Sequence, residues 1–212
     1  MIRVLVFAIL MAGQASAGPW PRETGETFLS FAVEIDPDDG ANGFATLYLE
    51  HGLAHDLTLG LDLSGHEDDM SKAIGFLRWP VGQPDGKART AVEFGAGLWD
   101  DGFALRPGLS WGRGLTWGEL PGWLSVETRA LLLDGFDGRA EVDVTFGLKP
   151  TPRSKIMIQL QTAAPTDKSP SIKLSPSWAY EMKTGRHVTL GVTAGVVEAE
   201  DMHVSFGIWQ RF

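Results

Sequence analysis

The sequence predicts an all-β fold: a closed, up-and-down antiparallel transmembrane β-barrel of about twelve strands, with ten as the alternative count. Three observations predict it. After residue 17 the chain alternates apolar with small or polar residues, which is the period of a strand and not of a helix. Clusters rich in Gly, Pro and Asp break this alternation at short intervals. The segments left between them suit a tilted spanning strand of about 9–11 residues, whereas no later stretch forms an apolar helix of about 20.

The elements follow in order. Residues 1–17, MIRVLVFAILMAGQASA, read as a cleaved secretory leader: Arg3 supplies a positive start, residues 4–12 an apolar run, and Ala15-Ser16-Ala17 an A-x-A cleavage signature. The remainder, 18–212, is one barrel domain. Strands are predicted over 26–35, 43–50 and 56–65; in the third, Leu57, Leu59, Leu61 and Leu63 oppose Thr58, Gly60, Asp62 and Ser64. The turn at 66–69 leads to a strand at 73–81, and the turn at 82–86 to one at 88–99, where Val92, Phe94, Ala96 and Leu98 oppose Glu93, Gly95 and Gly97. Strands at 103–113 and 123–133 flank a glycine-rich stretch at 114–122. In the strand at 140–149, Val142, Val144, Phe146 and Leu148 oppose Glu141, Asp143, Thr145 and Lys149. The last four strands are predicted at 155–164, 171–183, 187–197 and 202–212. The count of ten arises because 66–90 and 113–123 carry blurred turn signals.

A soluble barrel would alternate as well, with its apolar face inside. Here the polar face is rich in Gly, Ser and Thr and poor in Lys, unlike a solvated surface. Trp79, Trp111, Trp117, Trp123 and Trp209 fall near strand ends on one side, which predicts an interfacial girdle. The chain also ends in an alternating strand closed by an aromatic: Val204, Phe206, Ile208, then Phe212. In this it resembles bacterial outer-membrane β-barrel proteins of the small, short-loop type. Gln210 departs from their pattern, where an apolar residue is usual. The stretch Tyr48-Leu-Glu-His-Gly-Leu-Ala-His-Asp-Leu-Thr-Leu-Gly60 is similar to a periplasmic hairpin common in such proteins. The resemblance implies a place in the outer membrane, contact with its lipids, and an assembly signal at Phe206, Ile208 and Phe212 read by the barrel-assembly machinery.

Twelve strands put both termini on the periplasmic side and odd-numbered connections outside. Those outer connections are acidic, with Asp38, Asp39, Asp68, Asp69, Asp100 and Asp101 forming a rim. Parity places Glu34, Glu50, Asp62, Arg78, Glu93, Arg106, Glu127, Arg129, Glu141, Asp143, Lys173 and Glu181 on the lumen side. Acids exceed bases in that set, which suggests a cation-preferring, water-filled path; a lumen closed by networks around Arg78, Arg106 and Arg129 is the other reading. No connection between strands is long enough to form a plug.

Composition narrows the chemistry. A net charge of -9 lacks the basic footprint of nucleic-acid binding, and zero Cys removes thiolate chemistry. Gly108-Leu-Ser-Trp-Gly112 matches a nucleophile elbow in letters but lies inside a strand, with no helix to follow. His51 and His55 straddle a turn and suggest no metal site, and the Asp-rich stretch at 36–40 lacks the chelating Glu of a calcium loop. His66 with Asp68 and Asp69, and His203 with Asp201, are the rim groups nearest to an activated-water arrangement. The expectation is therefore a non-enzymatic channel for small hydrophilic solutes, passive or weakly cation-selective, with neither metal nor cofactor. A hydrolase acting at the acidic rim and a non-transporting barrel for envelope integrity or surface interaction are the alternatives. Oligomeric state is not encoded in any motif.

Overall fold

The computed structural model describes residues 18–37, 43–82, 88–100, 102–133, 137–199 and 202–212, so the expected leader at 1–17 lies outside it. Twelve strands form: β1 (Thr27–Ile35), β2 (Phe44–Gly52), β3 (Thr58–His66), β4 (Asp69–Val81), β5 (Ala88–Trp99), β6 (Gly102–Trp117), β7 (Leu120–Leu133), β8 (Gly138–Thr151), β9 (Ser154–Pro165), β10 (Ser171–Lys183), β11 (Arg186–Val197) and β12 (Met202–Arg211). Each pairs antiparallel with its sequence neighbours, and β1 pairs with β12 to close the ring. The count is twelve, not ten. Closure leaves no unpaired edge, the condition for a sheet to sit in hydrocarbon.

Two of the blurred stretches, at 66–69 and 113–123, are tight hairpins. His66 pairs with Asp69, so β4 starts earlier than expected and only Glu67 and Asp68 remain at the tip. Leu115 pairs with Gly122, Thr116 with Pro121 and Trp117 with Leu120. The stretch at 114–122, expected as a loop, is therefore mostly ladder, turning at Gly118, whose φ of 61 suits glycine. Gly and Pro letters suggested a turn there, but the paired β6 and β7 backbones overrode them.

The two faces differ as a membrane requires. Phe31, Leu59, Leu61, Leu77, Phe94, Leu109, Ile156, Ile158, Leu190, Phe206 and Ile208 all point outward and are exposed. Pro107 and Pro176 also face outward, and each lacks the N–H of a ladder bond. The β6–β7 pairing skips Arg106 and Pro107, and the β10–β11 pairing skips Ser175 and Pro176.

The inward face holds the packed core. Ile74, Ala104 and Leu131 form one cluster, and Trp123, Met157 and Ala179 a second, with Trp20 and Trp209 packed against it. Two members of the expected girdle are thus corrected. Trp123 is only 2% exposed. It shares parity with Glu127 and Arg129, so it points inward over Gly147, where a Cβ would overlap its ring. Trp209 alternates with the outward Ile208 and turns inward against Phe28. Trp79 and Trp117 remain outward and exposed, joined by Trp178 beside Tyr180.

The other departure is at the start of the described chain. Residues 18–26 do not trail away from the barrel but fold into it, at the end holding both termini, called proximal below. Gly25 N donates to Gly52 O at 2.8 Å and Gly52 N to Glu26 O at 2.9 Å. Gly52 is glycine for a reason of space, because a Cβ there would strike the Glu23 backbone. Among the described residues, the N-terminal segment occupies this end of the lumen.

Candidate functional site: the barrel lumen

The lumen is organised by charge. Along β2 to β6 the inward side chains form a chain of alternating sign. Arg22, from the N-terminal segment, meets Glu50 Oε2 through Nε and Nη2, both at 2.5 Å. Glu50 Oε1 accepts from Arg78 Nη1 at 2.5 Å and from the Tyr48 hydroxyl at 2.8 Å. Arg78 Nη2 then donates to Glu93 Oε2 at 2.7 Å and to Tyr48 Oη at 2.9 Å. Glu93 Oε1 accepts from Arg106 Nε at 3.1 Å, Arg106 Nη1 reaches Asp62 Oδ2 at 2.5 Å, and Lys72 Nζ ends the chain on Asp62 Oδ1 at 2.8 Å. Phe76 lies beneath both Arg78 and Arg106, with its ring centre 5.1 and 5.2 Å from their guanidinium carbons.

Strand alternation explains the assembly. Arg78, Glu93 and Arg106 sit at inward positions of the adjacent strands β4, β5 and β6, about 5 Å apart, and Glu50 on β2 reaches Arg78 across β3, whose inward position opposite Glu50 is Gly60. Glu50 is 0% exposed, Arg78 4% and Arg106 2%. Buried ions of this kind are tolerated only when paired and fully hydrogen-bonded.

A second charged group lies on β7 and β8. Arg129 Nη2 donates to Glu127 Oε2 at 2.5 Å and Nη1 to Asp143 Oδ2 at 3.1 Å. Toward the far, distal end, Arg139 Nε pairs with Glu141 Oε1 at 2.8 Å. Between the two charged groups is a cavity of about 310 Å³ lined by Tyr48, Asp62, Glu127, Arg129, Gln159 and Trp209 among others. A larger cavity, about 670 Å³, opens at the proximal end, where Lys149, Lys155, His187 and Arg211 face Glu119 and Glu181. Within it Lys155 Nζ and His187 Nε2 are 2.7 Å apart.

The residues singled out in the sequence fall as follows. Glu50, Asp62, Arg78, Glu93 and Arg106 come together in one network; Glu127, Arg129 and Asp143 in another; Glu141 is held by Arg139. Glu34 and Lys173 are half-buried on inward positions of β1 and β10. Glu181 Oε1 accepts from the Gly185 amide at 3.0 Å at the proximal end. The acid surplus expected of the lumen does not survive, because Lys72, Arg139, Lys149, Lys155 and Arg211 also face inward and Arg22 is added from outside the sheet. Parity would have found Tyr48, two residues before Glu50. Nothing in the sequence pattern joined Arg22 to Glu50.

At the distal rim Asp68, Asp69 and Asp100 are exposed, with Asp100 N bonded to Ser71 O at 2.9 Å. Asp38, Asp39 and Asp101 lie outside the described residues, as does Asp201. The His66 ring packs edge-on against Phe44. Ser110 is buried in mid-strand and donates to Ala91 O at 3.4 Å, which is not the exposed turn of a nucleophile elbow. His51 Nδ1 meets Thr27 Oγ1 at 2.8 Å while His55 sits in the β2–β3 turn with φ of 61. Among the described residues no group of three or more His, Asp or Glu could hold a metal. Phe206, Ile208 and Phe212 all point away from the lumen.

Known proteins place this architecture. No protein-family model matches the sequence, and no curated protein matches it. Solved structures do match in shape. The KdgM porin is 11% identical with a TM-score of 0.68, covering 87% of this chain and 99% of its own. The NanC porin is 9% identical with a TM-score of 0.64, covering 85% and 97%. The COG4313 outer membrane channel from Pseudomonas putida F1 is 8% identical with a TM-score of 0.64, covering 94% and 100%. At these identities the similarity shows the fold: the chain is a closed twelve-strand barrel similar in shape to these porins and this outer membrane channel.

Proposed function

We propose that this chain is a passive outer-membrane channel for small hydrophilic solutes. The observation that carries this is the inversion of its two faces: an apolar outward belt around an inward face of ions, hydroxyls and amides, with cavities inside the ring. A barrel serving only as a scaffold has no need of polar groups inside, which cost energy unless paired or hydrated. The neighbours named as porins and as an outer membrane channel support the reading, and one is described in complex with oligogalacturonate, a hydrophilic solute. Export by the leader and assembly through Phe212 would bring the chain to that membrane. Selectivity is weak in this reading, because most wall charges are paired internally and the sequence-based cation preference loses its surplus of acids.

One observation favours the alternative of a non-transporting barrel: residues 18–26 sit in the proximal lumen, between the charged walls. Single-channel recording of the folded chain in a planar bilayer under a KCl gradient separates the two. Steady conductance with a small reversal potential is expected. Silence, together with no solute uptake by vesicles, from protein shown to be folded by heat-modifiable gel migration, would overturn the channel reading.

A further inference from the structure

Gly18 is the innermost described residue of the N-terminal segment, and it is buried. Its carbonyl accepts from Arg78 Nη1 at 3.1 Å. The following residues are seated too: Pro19 is fully buried, the Trp20 ring fills the space that a Cβ on Gly112 would take, and Arg22 N donates to Thr58 Oγ1 at 3.2 Å. On its other side Gly18 faces Glu127, and a Cβ built on Gly18 would lie 3.6 Å from Glu127 Oε1.

Glu127 is the carboxylate with charge to spare. Its ion pair is with Arg129, through Oε2, and that same guanidinium also serves Asp143. Among the described residues, two acids therefore share one base, and Arg129 is the cation paired with Glu127. Glu127 is only 7% exposed, and a net charge held there is costly without a partner.

We propose that Glu127 is the binding site for a primary ammonium group, and that its resident ligand is the chain's own amino terminus, created when the leader is cut after Ala17. The amine of a terminal Gly18 and the Cβ position are both substituents of the same Cα. One rotation about the Cα–C bond exchanges them, setting the amine beside Glu127 and in van der Waals contact with the Trp20 ring, 3.4 Å from its nearest carbons. The new ammonium then neutralises the Glu127–Arg129–Asp143 group. Processing thus supplies the cation that locks the segment into the lumen. An uncut leader would place an amide at this point, with no charge to offer Glu127. The proposal rests on the lumen geometry and on the leader, and does not require that the barrel conduct.

The test uses the full chain, exported with its own leader in a Gram-negative host and recovered folded from the membrane. Intact mass is expected to show residues 18–212; a different terminus overturns the proposal. The folded protein is then acylated at about pH 7, where an α-amine reacts ahead of lysines. Labelling of the amino terminus is expected to be about tenfold slower than in Glu127→Gln, with equal rates once both are unfolded in urea. Should Glu127→Gln fail to fold, a variant with two glycines inserted before Gly18 displaces the amine and is expected to label at the faster rate. Equal labelling of the wild type and a folded variant overturns the proposal. Conductance is recorded separately, so a silent channel with a protected terminus would refute the channel reading alone.

Discussion

Glu50→Gln tests the central network most directly. Glu50 is fully buried and accepts from Arg22, Arg78 and Tyr48. The substitution keeps the shape and removes the charge, leaving two buried guanidinium groups around a neutral amide. Removing one partner of a buried ion pair costs about 3–5 kcal/mol. The lower end applies, because Arg78 keeps Glu93 at 2.7 Å and Arg22 keeps Glu26 at 3.8 Å. The expected loss is thus about 3 kcal/mol, read from urea unfolding in lipid vesicles by tryptophan fluorescence. Most of that loss falls on the N-terminal segment, so the Arg22–Glu23 bond should open to trypsin. A local shift of that size raises cleavage about a hundredfold when opening is fast relative to cutting. Combining Glu50→Gln with Arg22→Met should cost less than the sum of the two, by at least about 1 kcal/mol. The reasoning is refuted if Glu50→Gln unfolds within about 0.5 kcal/mol of wild type and Arg22 stays uncut.

Three further outcomes are expected. Phe94→Arg places a charge mid-strand on the outward face, and should destabilise the protein in vesicles by about 2–4 kcal/mol, with a much smaller effect in detergent where the side chain can reach water. Gly147→Ala drives a methyl group into the Trp123 ring, costing about 1–3 kcal/mol as an overpacked core and shifting Trp emission. Deleting Phe212 should lower the amount of barrel assembled in cells while leaving refolding of the purified chain into detergent nearly unchanged, because the ring contributes no inward packing and is 72% exposed; equal loss in both assays would assign it a purely structural role.

Much of the fold was legible because a spanning barrel writes its two environments into alternate letters. Leu57 to Ser64 could face lipid and lumen in one way only, and a one-residue slip would have exposed Asp62 to hydrocarbon. The lumen set followed from the same parity. What parity cannot express is partnership. Asp62 meets Arg106 across 44 positions and Glu50 meets Arg78 across 28, through side-chain reach and not through register. The tryptophans mislead for a related reason: closeness to a strand end suggested an interface, yet Trp123 and Trp209 belong to the inward series of β7 and β12. Residues 18–26 carry no period at all, with Pro19 and Pro21 among them, so their fold is fixed wholly by the walls that receive them.

That segment also bears on how the ring closes. Eleven of the twelve strand pairings join consecutive strands, and the remaining one joins the two ends of the chain. Bringing those ends together across nearly the whole sequence costs chain entropy of about 4–5 kcal/mol beyond a constant, which makes the seam the slow, non-local step. The anchors of the segment lie elsewhere: Glu50 on β2, Thr58 on β3, Arg78 on β4 and the Gly112 hollow on β6. These belong to the first half of the sheet, while Trp20 packs on the Trp123, Met157 and Ala179 cluster of β7, β9 and β10. The segment therefore acts as a mandrel that touches strands well away from the seam, setting the curvature of the sheet where β12 meets β1. There Thr27 and Phe212 meet through their backbones, Phe212 N to Thr27 O at 2.9 Å.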